Sequence, residues 1–169
     1  MQKLIIVIAL ISSFALAKPS CQELVDSIET AFEKADQLTM DLRISQAVFE
    51  IGYIKLNLFK NPEGIWESEI IEQRGAQQKE DKNDSAEPKI EFDCESSPND
   101  IAIKEIDNGW RLEMLESDKT KKIRHWLLEF NLVKGIIVPT KVVADFEIKI
   151  LLIPVAGQAV TNLTNWQLP

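Results

Sequence analysis

Few side chains in this chain could do acid–base or nucleophilic chemistry. Among 169 residues there is one histidine, His125, and there are two cysteines, Cys21 and Cys94. His125 stands in Arg124-His125-Trp126, so on a strand it faces away from Trp126. That position favours a solvated strand residue over a general base. Glu67 and Glu69 are two residues apart and would share a strand face, the spacing a carboxylate pair needs. With 27 acidic residues in the chain, a polar outer face explains the same pattern. The run Glu80-Asp81-Lys82-Asn83-Asp84 lacks the glycine and terminal glutamate of an EF-hand loop, and reads as solvation. One histidine and no C-x-x-C leave nothing to build a zinc site from. There is no G-x-S-x-G elbow, no P-loop and no dinucleotide fingerprint. The expectation is a protein that is not an enzyme and uses no cofactor or metal.

What remains is apolar surface and the elements that arrange it. Residues 1–17 have the pattern of a secretory signal: Met1-Gln2-Lys3, an apolar run from Leu4 to Leu16, and the small-residue exit Ala15-Leu16-Ala17. The run is too short to span a bilayer as a helix. Cys21 follows Lys18-Pro19-Ser20, which is not the setting of a lipidated cysteine. Residues 18–169 then form one domain by the usual size prior. The expected location is the periplasm. The net charge is −8, and removing Lys3 with the signal makes it more negative still. That excludes nucleic acid and anionic lipid surfaces as natural partners and suits a soluble monomer. Export permits one disulfide, Cys21–Cys94; two separate thiols are the alternative.

Ser20 and Glu23 form a capping-box pattern ahead of Leu24, Ile28, Ala31, Phe32, Ala35 and Leu38 at helical spacing. A helix from Cys21 to Gln37 is expected. The period then becomes two. Met40, Leu42, Ile44 and Val48 mark one strand, and Ile54, Leu56 and Leu58 the next. Asn61-Pro62-Glu63-Gly64 turns into a strand over Ile65 to Ile71. Gly75 to Lys89 is polar and reads as a long loop. A short strand is expected at Ile90 to Cys94. Asp107-Asn108-Gly109 predicts a hairpin between Ile101–Ile106 and Trp110–Leu115. Ser117 to Lys122 reads as a charged turn. A strand follows over Ile123 to Phe130, with Pro139 starting or edging the next one. Val142, Ala144, Phe146, Ile148, Ile150 and Leu152 alternate with polar residues. A turn at Pro154 to Gly157 precedes a closing strand. One helix before many antiparallel strands gives the class α+β. A single helix cannot cover a large flat sheet, so the expected architecture is a curved antiparallel incomplete barrel, a half-barrel covered by the N-terminal helix.

Ile44-Ser45-Gln46, Lys60-Asn61-Pro62 with Trp66, and Gly135-Ile136-Ile137-Val138-Pro139-Thr140 resemble short motifs of the periplasmic lipoprotein-carrier (LolA-like) family. The order of elements is similar as well. The resemblance implies a half-barrel whose open side is plugged by helices. It implies a lipid or acylated-protein cargo and a membrane-bound donor or acceptor protein. The expected function is carriage of an acyl chain in an apolar cavity between helix and sheet, which needs no catalytic residue. The residues expected to line it are Leu42, Ile44, Leu56, Leu58, Trp66, Ile148 and Ile150. The competing expectation is a non-catalytic envelope interaction module with a filled core.

Overall fold

The computed structural model describes residues 18–46, 49–75, 94, 100–115, 123–150 and 153–169. The signal-like segment, the polar stretch after Gly75, the expected strand before Cys94 and the charged turn at 117–122 lie outside the described residues.

Helix α1 covers Cys21–Lys34. The Glu23 carboxylate accepts from the Ser20 N–H at 2.7 Å, and Ser20 Oγ accepts from the Glu23 N–H at 3.2 Å. Two otherwise orphaned helix donors are thus satisfied. The helix ends before Gln37 because the sheet takes the chain over. Ala35 has extended dihedrals, the Asp36 N–H donates to Gln167 O, and Gln37 pairs with Phe59 and Gln167. Pairing on both sides outweighs the helical pattern that continues to Leu38.

The strands are β1 (Gln37–Gln46), β2 (Phe49–Lys60), β3 (Trp66–Gly75), β4 (Ile101–Ile106), β5 (Gly109–Leu115), β6 (Ile123–Val133), β7 (Ile136–Ile150) and β8 (Ile153–Gln167). They form one eight-stranded antiparallel sheet in the order β3-β2-β1-β8-β7-β6-β5-β4. The expected α+β half-barrel is therefore corrected. The described residues are overwhelmingly strand, with one 14-residue helix, and the sheet is open, with β3 and β4 at its two ends. The physical reason is length. Fourteen helical residues span about 21 Å, whereas seven strand spacings span about 34 Å. One such helix covers only part of the sheet.

Two local expectations also change. Pro154 to Gly157 is not a turn, because Pro154 pairs with Lys149 and Gly157 with Phe146 inside one long hairpin. Gly157 serves packing: a Cβ there would meet the Phe146 ring at 2.5 Å and Ser45 O at 2.9 Å. Pro139 lies inside the central strand β7 and not at its start. It is accommodated at a register shift, where Phe130 opposes Pro139 while Glu129 opposes Lys141. A bulge spares the ladder bond that proline cannot donate. The β6–β7 hairpin turns at Lys134 and Gly135, with φ of 50° and 80°, as a tight two-residue connection requires.

α1 packs over β7 and its neighbours. Leu24 joins Trp110, Leu112, Leu128, Phe130 and Val142 in one core cluster. Ala31 and Ala35 join Val138 and Leu168 in a second. Cys21 and Cys94 are joined as a disulfide, with Cα atoms 5.8 Å apart. It fastens the first helical residue to the segment between β3 and β4, and it suits an oxidising compartment.

Candidate functional site

Residues directly opposite one another in paired strands share a face of the sheet. One such row runs Ile103, Leu112, Leu128, Val142, Thr161, Leu42, Ile54. Over β5 to β7 the row is sealed, because Leu24 of α1 packs on Leu112, Leu128 and Val142. Leu42 and Ile54 continue the row, yet both are only half-buried and neither belongs to a core cluster. The adjoining pairs extend this strip. Met40 opposes Leu56, Leu56 opposes Ile70, and Leu38 opposes Leu58. Met40, Leu56 and Leu58 are half-buried and Ile70 is exposed, whereas Leu38 is fully buried. Ile44 stands opposite Gly52 at the far end of the strip.

Four of the expected lining residues, Leu42, Ile44, Leu56 and Leu58, therefore come together on the helix-bearing side, beyond the part the helix covers. Trp66 does not join their open portion. Its ring lies edge-to-face on Phe32 at a centroid distance of 5.9 Å, with Lys60 Nζ at 5.2 Å. Phe32 also meets Trp166 at 5.3 Å, and Lys60 Nζ donates to Glu33 O at 2.6 Å. Lys60 thus satisfies a carbonyl at the helix C-terminus, and these residues close that end of the strip. Ile148 and Ile150 belong to β7 by backbone, opposite Val155 and Ile153, but their side chains lie outside the described residues. Sequence reasoning passed over Met40, Ile54 and Ile70 as lining. The period-two alternation that marked Leu42 and Leu56 marks Met40 and Ile54 equally. The same alternation puts Ile70 on the Trp66 side of β3, where it opposes Leu56.

The opposite side of the sheet carries paired polar groups around an apolar row of Leu127, Val143 and Val160. His125 bridges three strands, with Nδ1 2.9 Å from Asp145 Oδ2 and Nε2 3.2 Å from Glu113 Oε1. It does face away from Trp126, but it is half-buried, and both ring nitrogens are engaged. Lys104, by hydrogen bonding, and His125 hold the Glu113 carboxyl below the ordinary glutamate value. Tyr53 OH donates to Asp41 at 2.7 Å, and its ring lies between Arg74 at 4.4 Å and Arg43 at 5.4 Å. Glu67 and Glu69 are exposed on β3. Among the described residues no group of three or more His, Cys, Asp or Glu could hold a metal ion. No helix among them is long and apolar enough to cross a membrane.

Two open grooves, of about 660 and about 420 Å³, indent the molecule. None of the residues expected to line the acyl site lines either one. The aliphatic strip is surface beside the helix, and the contact beneath the helix is closely packed, with Leu24, Leu112, Leu128 and Phe130 fully buried.

No protein-family model and no curated protein matches the chain. Among solved structures it is similar to a LolA superfamily protein from Nitrosomonas europaea, at 10% identity, over 89% of this chain and 94% of that one, with a TM-score of 0.28. A likeness that distant carries no functional argument, and the site stands on its own geometry.

Proposed function

We propose that this protein is a non-catalytic, exported binding protein that takes an acyl chain on the aliphatic strip of β1 and β2. One observation carries the reading. Leu42, Ile54, Leu56 and Met40 occupy the helix-bearing side yet remain outside both core clusters, half-exposed. Contiguous apolar surface of this kind, left open by a soluble acidic chain, marks an interaction site. An extended hydrocarbon fits it because the strip offers carbon and no ionic group. Each methylene buried there contributes about 0.8 kcal/mol. The chain lies beside α1 and not beneath it, since the interface beneath is filled. The cargo is a lipid or an acylated protein, and the compartment is the oxidising periplasm, as the disulfide and the signal-like start support.

Native mass spectrometry of gently purified protein tests this. Adducts with the masses of lipids or acylated peptides, shed on activation, are expected. A protein free of any such adduct after isolation from membrane-rich lysate, and still free after incubation with palmitate, would overturn it.

A second reading, an envelope interaction module, is favoured by one feature. Edge strand β3 carries Ile70 and Ile71 at 52% and 55% exposure. An exposed edge with apolar side chains is a template for another strand. Adduct-free protein that captures a partner only when Ile70 and Ile71 are intact would favour this reading over lipid carriage.

A further inference from the structure

We propose that Gly52 is the portal of the acyl strip, the point at which a long acyl chain leaves the sheet towards its polar head; the inference rests on the acyl reading given above. Its starting point is a glycine that the fold does not demand. Of the six glycines in the chain, Gly64, Gly75 and Gly135 have positive φ, and a Cβ at Gly109 or Gly157 would collide with Phe130 or Phe146. Gly52 has neither constraint. Its φ is not positive, and among the described residues nothing lies within 4 Å of the place a Cβ would take. A register shift between Ile44 and Ser45 lies beside it. That bulge does not ask for glycine either, because the glycine form of a bulge needs the left-handed conformation. A glycine inside a strand weakens the strand, and it marks places where a ligand passes close to the backbone.

Its position fits passage of an acyl chain. Gly52 stands on the side of the sheet that carries the strip, between Ile44 of β1 and Gly75 of β3. Along β2 that side runs Leu58, Leu56, Ile54, Gly52 and, past the bulge, Phe49, which opposes Gln46. Phe49 and Ile51 are 71% and 47% exposed. Apolar surface thus continues outward on both sides of a bare stretch of backbone. The other end of the strip is shut, because Phe32 lies against Trp66 and Trp166 and Leu38 is fully buried.

These two ends orient the cargo. The methyl end abuts the aromatic rings, and the head end crosses Gly52. From Leu58 to Gly52 the strand rises about 20 Å, close to the length of an extended palmitoyl chain. A head group beyond Gly52 keeps its water, so the strip needs no polar partner for it. A side chain at this position would stand in the path of a long chain and leave a shorter one, which ends before Gly52, undisturbed.

The test compares binding of palmitate and of the shorter laurate to the full mature chain and to Gly52→Val, with Tm measured alongside. Replacing an unconstrained strand glycine by a β-branched residue should leave Tm unchanged or raise it. Palmitate binding is expected to weaken about tenfold or more, as for lifting about two methylenes off the strip, while laurate binding stays at the parent level. Gly52→Ala gives the same comparison with a smaller loss if the valine variant folds poorly. Palmitate binding that is undiminished or tighter in a folded variant, or an equal loss for laurate, would overturn the portal and leave the acyl strip standing. A parent protein that binds neither fatty acid would overturn both.

Discussion

Tyr53 is the only tyrosine in the chain, so its ionisation can be followed alone by absorbance. The hydrogen bond to Asp41, then burial, raises its pKa above the ordinary value of 10.0. The neutral phenol is the form that donates to the carboxylate. Its contribution to stability is fully present below the ordinary tyrosine value and is lost as pH rises through the higher folded value. A spectrophotometric titration is expected to place the midpoint above 10 in the folded protein, and Asp41→Ala should bring it down towards the ordinary value. A folded-state midpoint at or below 10 would contradict the Tyr53–Asp41 bond. At this scale His125 was only half legible. Its face followed from alternation with Trp126, but the carboxylates of Glu113 and Asp145 come from neighbouring strands. Their approach depends on a register that sequence spacing does not carry.

The elements were legible where local chemistry decides them. Ser20 and Glu23 marked the helix start, and Asp107-Asn108-Gly109 marked a hairpin, because caps and tight turns are built from adjacent residues. Gly109 itself is required by packing: a Cβ there would collide with the Phe130 carbonyl oxygen. Gly109→Ala is expected to destabilise the protein by about 2 kcal/mol or more, read as a fall in the urea midpoint. Stability within experimental error of the parent would mean that β5 and β6 do not approach as described. Pro154, Gly157 and Pro139 misled because proline and glycine mark turns only when no partner strand accommodates them. The β7–β8 hairpin and the bulge at Pro139 both do so. The helix end was overrun for the related reason that strand pairing at Gln37 is a long-range effect.

For the whole molecule, the governing fact is a mismatch between a 14-residue helix and an eight-stranded sheet. The class read from element order presumed that the sheet would curl until one helix sufficed, and sequence carries no measure of that curl. Where α1 reaches, the sheet has a core; where it does not, aliphatic side chains stay half-exposed. The Cys21–Cys94 bond, across a separation of 73 residues, holds the helix start to the chain between the two edge strands. Reducing it is expected to cost on the order of 3 kcal/mol, seen as a lower Tm in the presence of reductant, and an unchanged Tm would deny it a stabilising role. The most direct test of the acyl strip is displacement of a fluorescent fatty acid from the parent and from Leu42→Gln/Leu56→Gln, with Leu24→Ala as a core control. The strip predicts saturable binding by the parent, weakened about tenfold or more by the double variant, with little change in its Tm because both side chains are already half-exposed. Leu24→Ala should instead lower stability by about 2–5 kcal/mol. Undiminished probe binding by a folded Leu42→Gln/Leu56→Gln protein would contradict the central claim.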